Sequence, residues 1–552
     1  MPQRYGGLLF LGDTMSKRKK RILLCNEASF MNSGYANYGR ELLQGLYDTN
    51  KYEIAELGCY AHIEDPRGKK LPWKFYPNAV SQKDERYNKY SSSAANTFGF
   101  WRFDLVCLDF KPDIVIDIRD PWMFEYQSFS PLKEFFHWII MPPVDSVPQK
   151  TEWLNTFKLA DIVMPYTNWA KQSLQTLSNH NLYRDISPAG VNYNIFKPMP
   201  HIKEKHGLED TFVVGAVMRN QRRKLIPSIM EVFAKLTSQT SKKCLLYLHT
   251  TYPELSGWDI PQLLLQHNIV DKVLFTYLCK NCRHYYPSVF RGAQTFCPKC
   301  NSYSCVLSGT GDGIKDYELA EIYNSFDVLL QYAICEGFGM PQIEAGACGI
   351  PVCSVDYTAM SEVVRNIGAY PIPTKTIFYE LESHAYRAYP EDDYTVKLLL
   401  DLINMDTTDS AILKENLRNK TIEHYDWKST INTWVSAIDS LDPNAKRSWT
   451  DKKQFTIPQV VDIDYSLSAF ELAKYICDKI INSNELLFSE FCQRSIRDLD
   501  NGVSKSNNGF EVYTKEMLVK SLERYANTKV FMDDIRLSNQ AIMEDFVEYA
   551  RG

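Results

Sequence analysis

No stretch of about 18 consecutive apolar residues occurs in this chain, so no membrane-spanning helix is expected. Nor is there a surplus of positive charge: 62 Lys and Arg stand against 67 Asp and Glu, a net charge of −5. That removes any global field for nucleic acid or an anionic membrane and leaves only local basic patches. The 14 cysteines are scattered through 552 residues except for one cluster. Such usage suits reduced thiols and a metal site rather than a disulfide framework, and the expected location is cytoplasmic. The opening MPQRYGGLLFLGDT carries an apolar patch too short for a signal-peptide core. Met15 begins MSKRKKRILLCN, which reads as the more natural start, so residues 1–20 are expected to be a tail or an extended start.

What is present is the composition of a globular protein, 45% apolar and 23% charged, in a chain too long for one core. Two to four domains, at about 150 residues each, are expected. Arg21 to Cys25 reads as a first buried strand, followed by a loop from Asn32 to Gly39 and an amphipathic helix from Arg40. Strand, glycine loop and helix in that order open a doubly wound sheet. Ile54–Cys59, Asp113–Asp117 and Trp138–Met141 continue it, while residues 62–100 show no clear period. Ligands of open α/β sheets sit at strand C-termini, which places Asp120, Trp122 and Asp145 toward a cleft. A second set of strands begins at Val213–Val217 and runs through Leu245–His249 and Val328–Leu330. The fold class is therefore α/β.

The most informative stretch is CEGFGMPQIEAGACGIPVCSVDYTAMSEVV, from Cys335 to Val364. Glu336 and Glu344 are separated by seven residues, with Gly337-Phe338-Gly339-Met340-Pro341 between them. A glycine turn from strand to helix lets backbone approach a ligand and aims free helix N–H groups at a phosphate. A carboxylate one helical turn further in can hold a pair of sugar hydroxyls. This string resembles the Glu-x7-Glu signature of the retaining family-four glycosyltransferases (glycosyl transferases group 1), EGFG-(L/M)-P-x-x-EA-x-A-x-G-x-PV, element for element. Residues 160–167, 188–198 and 316–327 resemble further segments of that family, with Asn192 where an Asp is usual.

The resemblance implies a GT-B fold, two Rossmann-like domains facing a cleft. It implies an acceptor domain over 21–198, a nucleotide-sugar domain over 211–424 and a crossover helix over 425–442. It also implies transfer of a sugar from a nucleotide-diphosphate sugar to an acceptor hydroxyl without a catalytic metal. Arg219 and Lys224, five apart after the first strand of the second sheet, match the family's diphosphate-binding pair; each is placed on the loop and first turn of a helix. Arg222 and Arg223 are expected to be surface charges. Glu344 is implied to hold the ribose and Glu336 to sit near the sugar. The N–H groups around Phe338, Gly339 and Met340 are implied to meet sugar or phosphate, and Gly34 to lie under the phosphates and the acceptor. Asp145 occupies the place where many relatives carry His facing the donor sugar, which leaves the sugar identity open.

Cys279-x2-Cys282 and Cys297-x2-Cys300, 14 residues apart, have the spacing of a zinc ribbon inserted over 276–309. Four thiolates leave no open coordination position, so the zinc is expected to be structural. Cys305 is a possible substitute ligand. Residues 443–458 read as a linker, and 459–552 as a helical appendage with room for a protein partner. The acceptor class stays open between glycan, small molecule and nucleic acid reached through the ribbon. A GT-B scaffold without catalysis is the competing class, against which both glutamates and the Arg/Lys pair argue.

Overall fold

The computed structural model describes residues 18–130, 132–175, 181–309 and 313–449. Residues 1–17 of the tail expected over 1–20, and the helical appendage expected over 459–552, lie outside the described residues; Lys20, placed in that tail, already belongs to the first strand. The first half forms one parallel sheet: β1 (Lys20–Glu27), β2 (Tyr52–His62), β3 (Lys74–Ala79), β4 (Ile114–Asp117), β5 (His137–Ile140) and β6 (Ile162–Val163). They lie in the order β3-β2-β1-β4-β5-β6, all parallel. Ile22 to Cys25 at the centre is buried on both faces, which is why its sequence is a continuous apolar run rather than an alternating one.

The second half repeats that order. Strands β7 (Phe212–Val217), β8 (Cys244–His249), β9 (Val273–Cys279), β13 (Val328–Gln331), β14 (Val352–Val355) and β15 (Tyr370–Ile372) stand as β9-β8-β7-β13-β14-β15, again parallel. Three short antiparallel strands, β10 (Tyr285–Val289), β11 (Gln294–Thr295) and β12 (Cys305–Leu307), extend the β9 edge. A hairpin, β16 (Thr374–Glu380) and β17 (Ala385–Pro390), stands apart.

Two expectations are corrected. The stretch 62–100 contains β3, hidden because Pro77 and Asn78 interrupt its apolar pattern; as the last strand of its sheet, β3 tolerates a proline. The first helix runs from Gly34 to Asp48, six residues earlier than its apolar period suggests. The cause is a cap: the Ser33 hydroxyl accepts from the Ala36 N–H at 3.1 Å. Gly34 is thus the first helical residue and has no left-handed backbone.

The helix Trp427–Ser440 returns to the first half. Trp434, fully buried, donates its indole N–H to Tyr38 Oη at 2.8 Å, and Lys20 Nζ donates to the Leu441 carbonyl at 2.7 Å. A Cβ on Gly190 would lie 2.4 Å from the Trp427 backbone nitrogen, so this crossing requires glycine. One core cluster consequently runs through both halves, from Ile22 and Tyr38 to Phe338 and Trp434. No helix among the described residues is long and apolar enough to cross a membrane.

Candidate active site

The chain leaves β13 at Gln331 and enters the helix Met340–Ala347 through Gly339, whose φ of 93° is open to glycine at little cost. Glycine offers no capping side chain, so nothing from the cap position occupies the first N–H groups of this helix. Beside it lies the basic loop that follows β7. Asn220 and Trp258 pin that loop, Asn220 Nδ2 donating to the Trp258 carbonyl at 3.0 Å and the Trp258 N–H returning to Asn220 Oδ1 at 2.8 Å. The two loops are joined by backbone: Lys224 bridges Ala333, and the Ile334 N–H donates to the Arg223 carbonyl at 3.0 Å.

This backbone seam makes the side chains meet. Glu336 is buried and accepts from Lys224 Nζ on one oxygen and from Arg223 Nη1 on the other at 2.7 Å. Gln331 Nε2 adds a contact at 3.3 Å. Burial pulls the Lys224 ammonium well down and Arg223 adds to the fall, while Cys335 opposes it. Two expectations change here. Lys224 lies before the helix, which starts at Ile226, because the bridge to Ala333 keeps it extended. Arg223 is no free surface charge but the second cation on Glu336, with a side chain 40% exposed. Arg222 is on the solvent side, paired with Glu382 at 2.6 Å. Arg219 lies further out, half-exposed and paired with Glu254 at 3.3 Å.

Glu344, one turn into the helix, is buried and accepts from the Tyr323 hydroxyl at 2.6 Å. Burial lifts its pKa to about 7, the Asp316 carboxylate adding to the rise while Tyr323 and Arg40 oppose it. Arg40 and Asp316, 2.8 Å apart, tie the first helix of the N-terminal half to the helix Asp316–Tyr323.

The facing wall comes from the N-terminal half. Gly34 faces Met340, where a Cβ would lie 3.9 Å from its sulfur in ordinary contact, whereas one on Gly337 would lie 2.9 Å from Pro143 Cβ, so the two halves meet closely there. Asp145 accepts from Cys335 Sγ at 3.3 Å and from Arg387 Nη1 at 3.2 Å, both in the C-terminal half. Asp120, at the end of β4, is held up to about 6 by burial and the nearby Asp145 charge. Glu27 beside it is also raised by burial, and Ser33 donates to it. The Phe338 ring packs rather than faces the cleft: it stacks on Tyr166 with centroids 4.7 Å apart. Trp122 is half-exposed, edge-on to Phe98. A cleft of ≈ 480 Å³ is lined by Arg219, Arg223, Glu254, Cys335, Glu380 and Arg387.

Sequence reasoning missed Arg387 and Glu380, which reach the cleft on the hairpin β16–β17. No local pattern marks them; Arg387 meets Asp145 only because the Tyr386 N–H donates to the Val147 carbonyl across the halves at 2.9 Å. The cysteines Cys279, Cys282, Cys297 and Cys300 come together elsewhere, at the C-terminal end of β9, with all four sulfurs within 4.8 Å of one another. Cys305, opposite Cys279 on β12, is outside that group.

The family model described as Glycosyl transferases group 1 matches residues 312–377. Among solved structures, the chain is similar to sucrose-phosphate synthase from Thermosynechococcus elongatus, at 16% identity and a TM-score of 0.54, over 76% of this chain and 98% of that one. It is similar to HepE from Anabaena in complex with UDP and glucose, at 13% identity and a TM-score of 0.53, over 76% of this chain and 100% of that one. The N-terminal domain of Candida albicans trehalose-6-phosphate phosphatase is similar at 12% identity and a TM-score of 0.50, over 78% of this chain and 98% of that one. No curated protein matches by sequence. At these identities the likeness speaks for the fold: GT-B, two Rossmann-like domains facing a cleft.

Proposed function

We propose that this chain, a nucleotide-sugar glycosyltransferase by its family segment and its fold, moves a sugar from a nucleotide-diphosphate donor to an acceptor hydroxyl with retention of configuration. One observation carries the reading: two buried carboxylates, Glu336 and Glu344, flank an uncapped helix N-terminus, and Glu336 is shared by two cations. Such an arrangement suits an anionic leaving group beside a polyhydroxylated one.

On this reading residues 211–424 take the donor and 21–198 the acceptor. Glu344 holds the ribose hydroxyls in place of Tyr323, and Arg219 and Lys224 take the diphosphate, aided by the N–H groups of Gly339 and Met340. Glu336 positions the cations and faces the sugar; Arg223 joins this set. The bond from the anomeric carbon to the phosphate oxygen breaks, and its electron pair goes to the diphosphate. The acceptor oxygen attacks from the same face, and its proton passes to the departing phosphate oxygen. Cations positioned where charge grows lower that barrier without a metal. Asp145 and Gly34 face the sugar and the acceptor from the other wall. The four-cysteine group belongs to the scaffold and holds a structural zinc ion. The described cysteines form no disulfide with one another, which supports the cytoplasmic location we propose.

The test is a screen of nucleotide sugars by thermal stabilisation and slow donor hydrolysis, UDP-sugars first because HepE was solved with UDP and glucose. A hit is followed by NMR of the product's anomeric proton. Inversion at that carbon would refute the retaining mechanism, and stabilisation by no nucleotide sugar would refute the donor site.

A further inference from the structure

We infer that Cys279, Cys282, Cys297 and Cys300 bind one tetrahedral thiophilic ion, zinc by ligand chemistry, and that the knuckle it closes positions the nucleotide end of the donor cleft. The two Cys-x2-Cys turns are built alike. The Arg283 N–H donates to the Cys279 carbonyl and the Asn301 N–H to the Cys297 carbonyl, each at 2.9 Å. The residue after each second cysteine takes a left-handed backbone, with φ of 60° at Arg283 and 55° at Asn301. A second bond closes each turn, from the Cys279 N–H to the His284 carbonyl and from the Cys297 N–H to the Ser302 carbonyl, again 2.9 Å each. Across the pair, Cys279 Sγ lies 3.6 Å from Cys300 Sγ and Cys282 Sγ 3.7 Å from Cys297 Sγ. Four sulfurs at about 2.3 Å from one zinc ion stand about 3.8 Å apart in a tetrahedron, whereas a disulfide brings two sulfurs to about 2.05 Å. Donors already point at the sulfurs: the Cys282 N–H at Cys279 and the Lys299 N–H at Cys297, both 3.4 Å. Donors of this kind stabilise a thiolate.

The knuckle also reaches the donor site. Arg283 Nη2 donates to the Gly313 carbonyl at 2.7 Å. Gly313 in turn sits against Asn32 of the N-terminal half, where a Cβ would fall 2.6 Å from Asn32 Nδ2. Tyr285, on β10, donates its hydroxyl to Glu321 of the helix Asp316–Tyr323. That helix carries Asp316, paired with Arg40 across the cleft, and Tyr323, bonded to Glu344. Metal, Arg283 and Tyr285 therefore hold the element that presents the ribose-binding carboxylate. The positioning half of the inference rests on the proposed donor reading of Glu344; the metal half does not.

The full chain, purified without chelator, should contain about one zinc per polypeptide by elemental analysis. Cobalt(II) exchanged into it should give the intense visible bands of a tetrahedral tetrathiolate site. Metal-free protein, two disulfides by thiol counting, or the weak spectrum of an octahedral cobalt site would each overturn the metal assignment. Cys297→Ser should lose the ion; retention of stoichiometric zinc would overturn the ligand set. Arg283→Gly keeps the left-handed backbone at no steric cost and removes the side chain with its guanidinium. It should retain zinc, speed hydrogen exchange in the Asp316–Tyr323 helix, and raise the donor KM roughly three- to thirtyfold with kcat little changed. Arg283→Lys should recover part of that loss. Unchanged exchange in a zinc-loaded Arg283→Gly protein would overturn the positioning role, whether or not any donor is found. Faster exchange with zinc lost would equally overturn it, by assigning Arg283 to the metal fold. Normal exchange and zinc in a wild-type chain that no nucleotide sugar stabilises would instead count against the donor reading.

Discussion

Glu344→Gln should strengthen the protein and weaken its donor binding at once, and the stability gain should depend on pH. In the fold Glu344 is buried against Tyr323, and burial raises its pKa from 4.5 to about 7. The folded state therefore holds a proton more tightly than the unfolded chain. Below pH 4.5 the carboxyl is neutral in both states and costs nothing. As the pH rises from 4.5 to about 7, the unfolded chain ionises first and stability falls; above 7 the full penalty persists. At about 1.4 kcal/mol per pH unit, that interval corresponds to roughly 3 kcal/mol. Glutamine keeps an acceptor for the Tyr323 hydroxyl and removes the ionisation, at the cost of burying a new amide donor. The net gain at pH 8 should be roughly 1–3 kcal/mol, and at pH 4 it should vanish or turn into a loss of up to about 2 kcal/mol, the cost of the buried amide alone. Thermal melts of both proteins at the two pH values read this directly. Donor affinity, measured by calorimetry on the nucleotide sugar the screen yields, should fall roughly 10- to 150-fold for the loss of a charged contact to ribose. A variant destabilised equally at both pH values, or one binding donor normally, would refute the argument.

Lys224→Ala should lower turnover roughly 30- to 1000-fold with a smaller effect on donor affinity, because the charge it meets grows as the bond breaks. Arg222→Ala, with its partner Glu382 on the solvent side, should change little; steady-state kinetics showing the reverse order would mean the phosphate site is in another register. Gly190→Ala forces a methyl group against the Trp427 backbone and should lower the melting temperature by roughly 2–12 °C. An unchanged melt would contradict the docking of the last described long helix on the N-terminal sheet.

Lys224 and Arg223 stand as neighbours in a run of three cations, and this pair shows where local reading stops. Which of them turns inward depends on the antiparallel bridge between Lys224 and Ala333, a contact between residues more than a hundred positions apart. The same limit applies to Arg387, whose partner Asp145 lies in the other half of the chain. Gly34 reads as a loop residue in the sequence and is the first residue of a helix, because one Ser33 cap outweighed the apolar period that marks the helix from Arg40.

Features carried by spacing were legible without a structure. The apolar runs at Ile22–Cys25, Val213–Val217 and Val328–Leu330 mark central parallel strands, since burial on both faces leaves no room for polar residues. The seven-residue interval between Glu336 and Glu344 sets both carboxylates around one helix start, and two residues between paired cysteines bring their sulfurs to one side of a turn. These are local geometries, dictated by a few backbone angles. Only the tertiary structure decided which cations neutralise Glu336, that Tyr323 holds Glu344, and that Arg387 and Asp145 close the cleft. The first two follow from packing within the C-terminal half, between loops and helices far apart in sequence; the third depends on where the two sheets come to rest against each other. That placement follows from the packing of Trp434, Gly190 and Gly337, a long-range sum that no single stretch of sequence displays.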